Sequence, residues 1–384
     1  MNFIIFISQK LTKRNFERYG IEQFEKNKFN LKILDLTNIF DKKINQISLK
    51  YENLNNYKNL HKFNNYFSLL FFLFKQNTFY YTNACSYNSL FLTLIEKIII
   101  FRGNTKIHFS TALIPKVYRN YLLEIKILLK KFSIFSLLRK TLNVSKNYFI
   151  SLIQPDPKIA FISGQSEFKN FKKKKTKIIK SNCLDYNKVI KIKKKDIKKN
   201  CIVFLDENVP NHPDFYLLGM KLPYSRQEYW SEMKLIFENL YKKHKKKIII
   251  CLHPKSSKND ILFVKKFFKE SKYKILFNKT LESVAKSFLV VAHFSTSIQF
   301  AISLKKNLIL IGLNKFNDHQ KKCINFYSRE LNIPIIENSD FSKVKFYNKN
   351  KYDYFFKKYI CAAAKKNREI SWIKIINYCK SNFL

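Results

Sequence analysis

The most regular pattern of apolar and polar positions lies in the second half of the chain. Cys201–Leu205 is a short apolar run that ends in Asp206-Glu207-Asn208. Ser225, with Glu228 three residues on, spells a capping box that opens a helix. Behind it Tyr229, Trp230, Met233, Ile236, Phe237, Leu240 and Tyr241 recur at helical spacing and predict one buried stripe. The basic run Lys242–Lys247 suits the negative end of that helix. Ile248–Leu252 is apolar throughout, as a strand inside a parallel sheet must be, and it stops at His253-Pro254. A helix is expected over Asn259–Phe268, a strand over Lys274–Phe277, and a short helix from a Thr280 cap through Ser287. The strand Phe288–Ala292 then runs straight into His293-Phe294-Ser295-Thr296-Ser297. A helix through Leu304 and a strand over Leu308–Ile311 follow. Strand and helix alternate without interruption, which predicts a Rossmann-like domain over 200–345.

The first half repeats the alternation less cleanly. Strands are expected at Asn2–Ile7, Leu31–Leu36, Thr78–Tyr81, Lys106–Phe109 and Lys158–Ser163, with helices over Ser86–Phe101 and around Tyr118–Leu142. This predicts a second Rossmann-like unit over 1–168. Met1–Ser8 is read as its first strand, because Lys10 and Lys13-Arg14 follow the apolar stretch where a signal peptide would put charge first. Tyr66–Phe74 and Ser89–Phe101 are the most apolar stretches, and both fall short of the ~20 residues that span a bilayer. Each reads as a buried helix or strand, with a membrane-docking surface as the other reading. Residues 169–199 hold 14 Lys against Asp185 and Asp196 and read as a solvated connector with room for short strands. Residues 346–384 form a final segment, helical over Tyr352–Leu384 and expected to fold back on the first domain.

Composition narrows the function classes. The 384 residues suffice for two domains, and 46% hydrophobic content places them among globular chains. The net charge of +46 reflects an AT-rich codon bias in part, but the shortage of acids, 27 in all, also points to an anionic partner such as membrane or acidic glycan. Nucleic acid is the weaker candidate: Lys is scattered, Arg is scarce, and no binding module is present. The 7 Cys are scattered without a C-x-x-C pair, which suits a reducing cytosol and offers no zinc site. P-loop, dinucleotide fingerprint, H-E-x-x-H and nucleophile-elbow motifs are all missing. No metal or cofactor is expected.

The candidate chemistry gathers where the predicted strands end, which is where open parallel sheets bind ligands. Asp206 and Glu207, with His212 and Asp214, follow the first strand of the second domain. His253, Pro254 and Lys255 follow the next strand, and His293 with Ser295, Thr296 and Ser297 follows a third. Hydroxyls at a helix start can hold a phosphate oxygen. His253 can donate to a phosphate, with Lys255 adding charge. Asp206 or Glu207 could take the proton of an acceptor hydroxyl. His212 and Asp214 would shape the acceptor side.

His253-Pro254, followed 42 positions later by Ser295-Thr296, resembles the His-Pro and Ser-Ser/Thr motifs of bacterial sialyltransferases and polysialyltransferases. The resemblance implies a GT-B fold, two Rossmann-like domains facing across a cleft. It implies that His253, Ser295 and Thr296 bind the nucleotide monophosphate of a CMP-activated sugar. Over 202–313 the chain also resembles proteins of bacterial surface-polysaccharide clusters. The expected activity is metal-independent transfer of a sugar, sialic-acid-like, from a nucleotide-sugar donor to a glycan or glycolipid of capsule or lipopolysaccharide. The expected place is the cytoplasm, peripheral on the inner membrane face. The acidic-acidic-Gly motif of those enzymes has no match before residue 150, and Asp206-Glu207-Asn208 is its nearest likeness. Transfer of a polyol phosphate from a CDP-activated donor, as in teichoic-acid-like polymerases, is the alternative the same residues allow.

Overall fold

A computed structural model of the chain describes residues 1–40, 54, 56–85, 89–110, 145, 148–171, 175–193, 197, 199–212, 221–337, 347–364 and 369–382. The expected helix around 118–142 and the candidate Asp214 lie outside the described residues.

Two parallel sheets organise the molecule. The first contains β1 (Asn2–Ile7), β2 (Asn30–Asp35), β3 (Leu60–Lys62), β4 (Phe79–Asn83), β5 (Thr105–Phe109), β6 (Ile159–Ile162) and β7 (Lys177–Lys180), in the order β3-β2-β1-β4-β5-β6-β7. The second contains β8 (Cys201–Leu205), β9 (Lys247–Leu252), β10 (Tyr273–Phe277), β11 (Ser287–Ala292), β12 (Asn307–Ile311) and β13 (Ile335–Ile336), in the order β10-β9-β8-β11-β12-β13. β7 falls within 169–199, so part of the stretch read as connector closes the first sheet. Helices cover both faces of the second sheet, and β8 shows why its strands are apolar throughout. Val203 and Leu205 enter one core and Ile202 and Phe204 the other.

The long helix Arg226–His244 begins at the Ser225 capping box and ends where Lys245 turns left-handed at φ 50°. It buries Tyr229, Trp230, Met233, Ile236, Phe237 and Leu240. At about 1.5–3 kcal/mol per fully buried large side chain, that stripe contributes on the order of 10 kcal/mol before entropy is charged. The Thr280 expectation is corrected: Lys279 holds the cap position, Thr280 is the first helical residue, and no side chain caps this helix.

The final segment serves both domains. The helix Lys349–Phe355 and the π-turn Phe356–Ile360 place Tyr352, Phe355 and Ile360 in the core of the second sheet. The chain then crosses, bridging Cys361 to Asn182. The helix Ser371–Ser381 places Trp372, Ile375, Ile376 and Cys379 in the core of the first sheet with Phe3, Phe24 and Phe109. Ser371 pins this crossing to the earlier one. Its Oγ donates to the Asn182 carbonyl at 2.6 Å and its N–H to Asn187 Oδ1 at 2.9 Å.

Candidate functional site

Strand order reverses in the second sheet between the parallel neighbours β8 and β11, which leaves a crevice at their C-terminal ends. A small open pocket of about 50 Å³ lies there, lined by Asp206, His253, Pro254, Thr280, Ser295, Thr296 and Ser297, and by Arg14 of the first domain. Arg14 is exposed on the short helix Lys13–Arg18, which follows β1 and is capped by Thr12 Oγ1 accepting the Asn15 N–H at 3.2 Å. β1 is itself one of the two strands, with β4, between which the first sheet reverses.

Asp206 organises the pocket floor. It is buried, and its Oδ1 accepts the Asn208 N–H at 2.9 Å while Oδ2 accepts the His253 N–H at 3.1 Å. Asn208 takes a left-handed φ of 51°, a conformation the Asp206 bond supports. Burial pushes the Asp206 pKa up to about 6. Glu207 turns the other way. Its Oε1 accepts the Phe294 N–H at 2.8 Å, and its Oε2 is enclosed without a hydrogen-bond partner. Burial drives its pKa well above the ordinary carboxylate range. The two carboxyls hold the loops after β9 and β11 in place, and Asp206 also lines the pocket.

His253 is half-buried. Its Nδ1 accepts the Lys255 N–H at 3.1 Å, which leaves Nε2 to carry the ring proton as a donor. The His212 ring stands beside it, centroids 4.9 Å apart. Burial lowers the His253 pKa well below the usual value, and the charges of His212, Lys255 and Arg14 act in the same direction. A neutral N–H donor at pH 7 results. Lys255 reaches the site through its backbone. Ser295 Oγ accepts the Ser297 N–H at 3.2 Å, and a tight turn leads into the helix Ile298–Ser303. Thr296 at its apex is exposed.

His293 is corrected. It is fully buried below the pocket, Nδ1 donating to the Ile311 carbonyl at 2.7 Å and Nε2 accepting from Tyr229 Oη at 3.1 Å. Phe204 and Phe316 wall the ring in. Such a side chain packs; it cannot touch a ligand. Burial lowers its pKa to about 4. A base whose folded pKa is depressed supports the fold above its unfolded value near 6.5 and withdraws that support as pH falls toward 4. Its share is up to about 3 kcal/mol. Asp206, with its raised pKa, acts oppositely over much of that window. Replacing His293→Gln, which can keep both hydrogen bonds, should therefore reduce the stability difference between pH 7 and pH 4 by about 3 kcal/mol in urea titrations. An unchanged difference would mean that other groups drive the acid sensitivity.

Arg14 and Thr280 escaped the sequence reading. Arg14 lies far from the other site residues along the chain, and its only sequence signal was a cation just beyond the first strand. Among the described residues no group of His, Cys, Asp and Glu is placed to hold a metal ion.

The chain is similar in structure to a wall teichoic acid polymerase, TagF, with 12% identity and a TM-score of 0.54 over all of this chain and 89% of that one. It is also similar to the UDP-GlcNAc 2-epimerase of Methanocaldococcus jannaschii, with 14% identity and a TM-score of 0.45 over 98% and 100% of the two chains. MurG of Acinetobacter baumannii matches at 8% identity and a TM-score of 0.45 over 99% and 100%. No family model and no curated protein sequence matches the chain. The two facing parallel sheets and the similarity to TagF give the fold: it is GT-B, with a helical segment that returns to the first domain.

Proposed function

We propose that the chain is a transferase that takes a nucleotide-activated donor and builds a surface polysaccharide. The carrying observation is the pocket at the β8/β11 reversal, where a neutral His253 donor, the Ser295–Ser297 turn and Arg14 of the opposite domain converge. Donors and a cation around one small polar volume suit a phosphate. In the sugar-transfer reading, an acceptor hydroxyl oxygen attacks the anomeric carbon. The bond from that carbon to the donor phosphate breaks, and the phosphate leaves with the bonding pair into this pocket. The hydroxyl proton needs a base, and the carboxyls of Asp206 and Glu207 are engaged with backbone N–H groups. His212, next to His253, is the base we favour. The His-Pro and Ser-Thr motifs favour a CMP-sugar donor, sialic-acid-like.

The second reading is transfer of a polyol phosphate from a CDP-activated donor. In that reaction the acceptor oxygen attacks phosphorus and CMP leaves. The likeness to the teichoic acid polymerase and the paired histidines favour it.

A thermal-shift screen against CMP, CDP, UDP, GDP and their conjugates, with His253→Ala alongside, tests both readings. A cytidine nucleotide should raise the melting temperature of the wild type, and the variant should lose most of that rise. Stabilisation by UDP or GDP would keep the reaction class and change the donor. No shift by any nucleotide at millimolar concentration would overturn the proposal. With an active donor, a phosphodiester product separates the second reading from the first.

A further inference from the structure

The helices Tyr66–Phe74 and Leu90–Phe101 lie side by side on the first sheet. At one end Tyr66 Oη and Ser89 Oγ are 2.6 Å apart, and the Tyr66 ring stacks on Phe91. At the other end Arg102 donates to the carbonyls of Leu73 and Phe74. Each helix buries an ordinary apolar row, Leu69 and Leu73 in one, Leu92, Ile95 and Ile99 in the other. The opposite rows are apolar as well, and they face outward. Phe67, Phe71 and Phe74 are exposed on the first helix, Phe67 by 85%. Phe91, Leu94, Ile98 and Phe101 are exposed on the second, Phe101 by 94%. A helix that lies between sheet and water carries polar residues on its outer face. Seven adjoining large apolar side chains exceed what a soluble surface shows by chance.

Among the described residues of the two helices and their ends, the exposed charges have one sign. Lys75, Lys97 and Arg102 are exposed. Lys75 Nζ lies 4.3 Å from the centre of the Phe71 ring, and the Arg102 guanidinium 4.5 Å from that of Phe74. Glu96 is the only acid on the two helices, and it is buried against Lys106 at 3.0 Å. A second copy of the chain placed here about a two-fold axis would set these cations against themselves with no acid to answer them.

We propose that this face docks on an anionic lipid bilayer. The Phe rows enter the boundary between headgroups and acyl chains, and Lys75, Lys97 and Arg102 meet the lipid phosphates. No helix among the described residues is long and apolar enough to cross a membrane, so the contact lies in the plane of the surface. The helix starts at Asn65 and Ser89 follow strand ends, which sets the bilayer along the side of the domain that runs up to the cleft. The proposal does not depend on what the cleft binds.

The test uses the purified full chain and sedimentation with vesicles of phosphatidylcholine alone or mixed with phosphatidylglycerol. The protein should pellet with the mixed vesicles, and less so as salt rises. Each exposed Phe converted to Ser should weaken binding roughly tenfold, so Phe67→Ser/Phe71→Ser/Phe101→Ser should abolish it while the circular dichroism spectrum stays unchanged. Lys75→Glu/Lys97→Glu should lose the preference for phosphatidylglycerol and keep the fold. The proposal fails if the wild type stays in the supernatant, or if the triple Ser variant binds as the wild type does. It also fails if the wild type is a dimer in solution that the triple variant dissociates, because the face then belongs to a second copy.

Discussion

Gly20→Ala should destabilise the protein by about 3–5 kcal/mol, more than Gly103→Ala or Gly312→Ala. A Cβ at Gly20 would stand 2.2 and 2.3 Å from Cδ1 and Cγ of Trp372. Trp372 has nowhere to go. It is 1% exposed, packs on Phe24 and Phe109, and donates its Nε1 hydrogen to the Arg18 carbonyl at 2.8 Å. Gly20 also sits at φ +64°, the left-handed region that costs an alanine about 1–2 kcal/mol. Overpacking adds about 1–3 kcal/mol or more. Gly103→Ala is the control: its φ is +87° and nothing lies within 4 Å, so only the backbone cost remains. Urea unfolding followed by near-ultraviolet dichroism would read the tryptophan environment directly. In a Trp372→Ala background the Gly20→Ala cost should fall toward that of the control. If it does not, the steric account is wrong.

Arg14→Ala should weaken binding of whichever nucleotide stabilises the protein by about ten- to hundredfold, the worth of one charge-assisted hydrogen bond to phosphate. Without ligand its stability should match the wild type, because Arg14 is exposed. Arg14→Lys should recover part of the affinity, since a point charge replaces a planar fork. Isothermal titration measures the two affinities, and urea unfolding the stability without ligand. The variant is informative because Arg14 is the first domain's contribution to a pocket otherwise built by the second. Full affinity in Arg14→Ala would show that the second domain binds nucleotide alone.

The second domain was largely legible before its structure. The Ser225 box, the Tyr229–Leu240 stripe and the strands at Cys201–Leu205 and Leu308–Ile311 stand where apolar period and caps put them, within a residue. The helix Asp318–Leu331 and the two-residue β13 were not anticipated. The helix carries its own box of Asn317 and Gln320, and β13 is too short to carry a pattern. Tyr66–Phe74 shows the limit of reading by hydropathy. A run apolar on every side cannot reveal which face is buried, and here only Leu69 and Leu73 are. The candidate site shows a similar limit. Strand-end position picked out Asp206, Glu207, His253 and His293 alike, but only the packing shows His293 roofed by aromatic rings and the carboxyls bonded to loop backbones. Arg14 and Ser295 meet only through the arrangement of two domains, which no local signal records.

The return of the last helix to the first sheet has a consequence for how the chain acquires its structure during synthesis. The core of the first sheet includes Trp372, Ile375, Ile376 and Cys379, so this domain cannot close until residue 379 has left the ribosome. The core of the second domain is complete at Ala363. The domain encoded first is therefore finished last, and its open core must wait, exposed to chaperones, while the later one is made.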